Sequence, residues 1–258
     1  MKSVPRAFWH EFRGAFERLP VWLPGTRIQL GDIGLLSPAG WAPVSTLAEQ
    51  GVSFAVGEPG APVDVDYHSF GGADVSPHLS VDGGPLLGPV AGVGSSVRYS
   101  FSRQGAFVLK ATALRARQIV DVDAVAEQAY ARYRAGTWQP GWTVVTEVGW
   151  SGPAMILVSG RAGAEATVDF DVAVPALSAG IGAGIRVSNE HGLAAAFVSP
   201  GPSTVMWGGR YVRDPLLGRT RFDLRGSANT ASTVIDEALS FAELTGPEWP
   251  SEGMAKTD

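Results

Sequence analysis

Trp142-Thr-Val-Val-Thr-Glu-Val-Gly-Trp150 is the stretch that decides the fold. β-Branched and aromatic side chains crowd it, and such residues suit a pleated, half-buried surface. The run predicts a central strand. Just upstream the period changes. Val122, Val125, Ala129 and Tyr133 recur at spacings of three and four, which predicts a helix over 122–135. Asp121 or Asp123 offers an N-cap, and Gly136 a left-handed stop. Arg132 and Arg134 fall in the last turn, where the helix dipole favours cations. A helix therefore feeds directly into the strand.

Working downstream, Met155–Ser159 reads as a second strand after Gly152-Pro153. From Ala166 to Val174 the chain alternates: Val168, Phe170, Val172 and Val174 point one way, Asp169 and Asp171 the other. Its expected partner is Ala183–Val187 or Leu193–Val198. Two shorter strands are expected around Thr204–Trp207 and Thr220–Leu224. Working upstream, Gly and Pro turns cut Val21–Val120 into strand candidates at 27–36, 42–47, 52–56, 63–70, 97–102 and 106–115. At the start, Phe8, Phe12, Phe16 and Leu19, with Trp9 beside them, predict a helix over 7–19 with one packed face, or one lying on a membrane. At the end, 230–244 predicts a second terminal helix with Val234, Leu239 and Phe241 in its apolar set. The expectation is an α+β fold: a single twisted, mostly antiparallel sheet with an inserted helix and helices at both ends. Residues 1–228 would form the α+β domain, and 229–258 a helical C-terminal segment with a disordered tail.

Composition narrows the function classes. The chain has 258 residues, 45% hydrophobic and 17% charged, which excludes a disordered chain and a coiled coil. A net charge of −5 argues against a nucleic-acid partner. With no cysteine, thiolate nucleophiles, disulfides and Cys-ligated metals are excluded. No apolar run suits a signal peptide or a spanning helix, so a cytoplasmic, soluble form is expected. Short alternating strands can still enter a membrane as a barrel.

The usual catalytic signatures fail. Gly88-Pro-Val-Ala-Gly-Val-Gly94 lacks the third glycine of a dinucleotide loop and the Gly-Lys-Ser/Thr of a phosphate loop. No nucleophile elbow is present. No two of His10, His68, His78 and His191 are helically spaced for a metal. Asp64, Asp66, His68, Asp74, His78 and Asp82 supply hard ligands within a short stretch, but as readily form the solvent face of a strand and its loop. Glu147 is a lone strand carboxylate without a visible partner. No catalytic residue, cofactor or metal is therefore assigned. Gly180-Ile-Gly-Ala-Gly184 marks a kinked strand or a segment that rearranges.

The element order, with Trp142-Thr-Val-Val-Thr-Glu-Val148 following a helix and preceding an alternating hairpin, resembles the pore-forming domain of gasdermins. The opening Phe12-Arg-Gly-Ala-Phe-Glu-Arg-Leu19 and Val21-Trp-Leu-Pro-Gly25 are similar to that family's start. The resemblance implies a cytoplasmic monomer of the compact bacterial type, acting in antiviral defence or cell death. Its hairpins, near 84–115 and 165–198, would assemble with further copies into a membrane barrel. Residues 230–258 would restrain it until a protease cuts near Arg219, Arg221 or Arg225. Partners would then be a lipid membrane, the chain itself and that protease. The chain departs from many bacterial members in lacking an N-terminal cysteine for lipidation. Two rival readings stand beside this: a binding or assembly module presenting aromatics such as Trp207 and Tyr211, and a hydrolase or metal enzyme centred on the Asp/His cluster at 64–82.

Overall fold

The computed structural model describes residues 6–22, 26–37, 40–78, 95–170, 185–213 and 240–243. In chain order these form α1 (Arg6–Phe16), β1 (Leu19–Pro20), β2 (Asp32–Ser37), β3 (Gly40–Thr46), β4 (Val63–His68), β5 (Ala73–His78), β6 (Ser95–Phe101) and β7 (Phe107–Gln118). There follow α2 (Val122–Arg134), β8 (Thr143–Ser151), β9 (Ala154–Ser159), β10 (Ala164–Phe170), β11 (Ile185–His191), β12 (Leu193–Ser199), β13 (Ser203–Arg213) and β14 (Ser240–Glu243). The fold is α+β, dominated by antiparallel sheet.

β8 is central, as its composition requires. It pairs with β13 on one side and with β7 and β2 on the other. β9 is buried at every position. A strand with no polar face needs cover on both sides, and it has it. Phe107, Leu109, Ile156 and Val158 face a core closed by Phe8, Trp9 and Phe12 of α1. Val108, Met155 and Leu157 face the opposite way, into a second core. At the far end of that second face, α2 sets Val125 and Ala129 against Val144 and Val212. Phe107 is the hinge of the first core, with ring centroids 5.1 Å from Phe8, 5.5 Å from Phe12 and 4.9 Å from Tyr67.

Local chemistry fixes the helix ends. Asp121 occupies the N-cap of α2 but makes no capping bond. Its carboxylate instead accepts from the Ala55 N–H at 2.8 Å, pinning the 52–60 loop. Gly136 supplies the left-handed residue, φ 72°, that ends the helix. Asp32 accepts from the Gln29 N–H at 2.7 Å, and burial of its carboxyl raises its pKa.

Several expectations change. Among the described residues the sheet is realised as two hydrogen-bonded sheets, of ten and four strands. Residues 52–55 are loop, and Val56 makes an isolated bridge to Ile119, just beyond the end of β7. Among the described residues β5, unforeseen, lies at the edge of the small sheet, a place that tolerates Pro77, which has no N–H to donate. Where the sequence predicts a terminal helix, Ser240–Glu243 is a strand, paired antiparallel with Arg210–Arg213 of β13. Val234, Leu239 and the basic positions Arg219, Arg221 and Arg225 lie outside the described residues.

Candidate functional site

The two sheets share one strand order. In the large sheet β4 pairs β7, β7 pairs β9, and β9 pairs β12. In the small sheet β5 pairs β6, β6 pairs β10, and β10 pairs β11. Since β4 runs into β5, β6 into β7, β9 into β10 and β11 into β12, the eight strands are one four-stranded ribbon, bent once. Its outer half folds back over the inner half.

Each crossing of the bend carries a left-handed glycine: Gly71 (φ 60°), Gly105 (φ 76°), Gly163 (φ 73°) and Gly192 (φ 70°). Hydrogen bonds stitch the corners side by side. Ser102 N–H donates to Gly72 O, Gly105 N–H to Ser159 O, Gly163 N–H to Phe101 O, and Gly160 N–H to Gly192 O. Gly105 is required twice over. A side chain there would adopt a disfavoured φ, and its Cβ would lie 2.8 Å from the Phe8 backbone nitrogen.

The outer half is amphipathic. Val97, Tyr99 and Phe101 of β6, Ala164, Ala166 and Val168 of β10, and Val187 of β11 pack on Met155 and Leu157 of the inner half. On the other surface stand Asp74, Arg98, Glu165 and Arg186, with Arg98 paired to Glu165. The alternation expected around Val168 thus exists, and its dry side is buried within the molecule. Phe170 closes the strand, opposite Ser95 and Ile185 in the backbone register. β11 is therefore the second partner of β10, with a bulge between Thr167 and Val168. Val172, Val174 and Gly180–Gly184 lie outside the described residues.

Charged side chains gather at the bend. Arg103, in the β6–β7 corner, pairs with Glu11 of α1 at 2.6 Å. Tyr67 donates its hydroxyl to the other oxygen of Glu11 at 3.4 Å. Burial, reinforced by the Glu11 charge, pushes the Tyr67 pKa up. Across the ribbon, Arg161 meets His191 Nε2, joining the β9–β10 and β11–β12 corners.

The other sequence candidates separate. Phe8, Trp9 and Phe12 are core residues, and Phe16 packs against Tyr67 at 5.2 Å. Trp207 is 1% exposed and edge-on to Trp41, so it is no free handle; Tyr211 is half-buried. Of the Asp/His cluster at 64–82, Asp82 lies outside the described residues, and the members on β4 make contacts of their own. Asp64 accepts from the Ala113 N–H at 2.8 Å, Asp66 pairs with Lys110, and His68 lies 2.9 Å from Asp66. Among the described residues no group of carboxylates and histidines is placed to hold a metal ion. Glu147 has its partner in Arg18, at 2.7 Å, an ion pair tying the exit of α1 to the central strand. What the sequence reading missed is the bend. Gly71-Gly72 was legible as a turn, but one strand at a time nothing aligns four glycines into a line. No family model matches the chain, and no curated protein does.

Proposed function

We propose that the protein is a gasdermin-like, membrane-permeabilising effector whose bent ribbon straightens, pairs with further copies and closes into a barrel. One observation carries this reading: four strands in unchanged order on both sides of a line of left-handed glycines, with the distal half amphipathic. Straightening such a ribbon keeps every strand pair and gives up only the core between its two halves. The exposed row of Val97, Tyr99, Phe101, Ala166 and Val168 then meets lipid, while the charged row faces water. Closure follows from the bilayer itself, which leaves no backbone group at an open edge satisfied.

The C-terminal segment fits a restraint. β14 covers the Arg210–Arg213 edge of β13, and an uncovered edge is a template for another chain. A protease acting near 219–229 would free that edge, with the lipid bilayer and further copies as the partners that follow. The test replaces 219–225 with the recognition site of a specific protease and cleaves the folded protein beside dye-loaded vesicles. Release of dye on cleavage, with rings on the vesicles, is the expected result. Cleaved protein that stays monomeric and leaves vesicles sealed overturns the reading.

A further inference from the structure

We infer that α1 is a brake on the bend, engaged through a charge latch between Glu11 and Arg103; its consequence for pore formation rests on the reading above, but the latch itself does not. Three observations meet here. First, α1 lies directly on the fold line. A Cβ at Gly105 would stand 2.6 Å from the Ala7 Cβ, so helix and corner are in backbone contact. Second, Arg103 spans three elements. It sits in the β6–β7 corner, its Nε would be 2.9 Å from a Cβ at Gly72 in the neighbouring corner, and its guanidinium holds Glu11 at 2.6 Å. Third, Glu11 takes both available donors, Arg103 and the Tyr67 hydroxyl from β4. One carboxylate thus ties the helix to both strands that enter the first hairpin.

The contact is placed to govern motion. The Gly105 corner cannot open without passing through the space that α1 fills. β6 and β10 are paired from Ser95↔Phe170 to Phe101↔Ala164, so the two hairpins turn about the bend together. Holding one corner therefore holds all four. The latch itself is open to water. Glu11, Tyr67 and Arg103 line a groove of about 650 Å³ with Ala7, Gly14 and Ala15, beside Phe70, which is 98% exposed. Water can therefore solvate both partners once the pair parts. The second hairpin has its own tie, Arg161 to His191.

Glu11→Gln keeps the shape and removes the charge; Arg103→Gln breaks the same contact from the other side. Amide exchange is read in solution, without lipid, on the full chain. Loss of a half-exposed ion pair should raise exchange about threefold to tenfold at residues 102–106 and 160–163. α2 should exchange as in the wild type, and the thermal midpoint should barely move. The double variant Glu11→Lys with Arg103→Glu should restore slow exchange. Unchanged exchange at the corners in both single variants, or loosening confined to α1, overturns the latch whatever vesicles do. In the cleavable protein, Glu11→Gln should speed dye release by a similar factor. Loosened corners with sealed vesicles would leave the latch standing and bring down the pore reading. Dye release with corners that never loosen would do the reverse.

Discussion

The inner and outer halves of the ribbon are built from the same strands in the same order, yet they are held very differently. The inner half is covered on both faces, by α1 on one and by the folded-back outer half on the other. The outer half has one covered face; its other face carries Asp74, Arg98, Glu165 and Arg186 in the open. The apolar row of the outer half is covered by Val108, Met155 and Leu157. On the reading proposed above, a bilayer would offer that row an equivalent apolar surface.

The comparison breaks most sharply if deletions in the two halves cost the same. Phe107→Ala empties the point where α1, β4 and β7 meet, at a residue with no exposed surface. It should destabilise the protein by about 3–5 kcal/mol. Val97→Ala, on the half-buried rim of the outer sheet, should cost less than about 1.5 kcal/mol. Urea unfolding followed by tryptophan fluorescence measures both. Equal losses would mean that the outer half is as firmly anchored as the inner.

The bend itself gives the next largest effect. Gly105→Ala meets an unfavourable φ and the backbone of α1 together, and should cost about 2–4 kcal/mol. Gly163→Ala meets the same φ penalty with open space around it, and should cost about 1–2 kcal/mol. The difference between the two, read from their urea midpoints, isolates the close approach of the helix. Identical losses would show that α1 does not press on the corner.

Much of this was legible in the sequence, for reasons that are local. Thr-Val-Val-Thr-Glu-Val is β-branched enough to be a strand anywhere, and it is β8. The Val122–Tyr133 period is helical, and α2 runs from Val122 to Arg134. Alternation around Val168 says that one face of β10 is dry. It cannot say what dries it, since a strand lying on lipid, on a helix or on its own ribbon has the same pattern. The bend is non-local in the same sense, because Gly71, Gly105, Gly163 and Gly192 are far apart in sequence and adjacent only once the strands pair. Trp207 reads in the sequence as an aromatic free to hold a partner. In the fold its own ring lies over Gly209, beside Thr143, and edge-on to Trp41.

The smallest expected effect tests the contact between the halves and α1 by pH. The Tyr67 pKa is raised above its ordinary 10.0, first by burial and then by the Glu11 charge. Below pH 10 the phenol is protonated whether the chain is folded or not, and the group leaves stability unchanged. As pH rises past that value the unfolded chain ionises first, so the folded state loses ground. The wild-type thermal midpoint should therefore fall above pH 10. Tyr67→Phe should flatten that fall, and Glu11→Gln should flatten it in part, because one of the two causes is gone while burial remains. The order matters more than the size. If Glu11→Gln flattens the curve as much as Tyr67→Phe, the carboxylate and not the packing of α1 sets the environment of Tyr67.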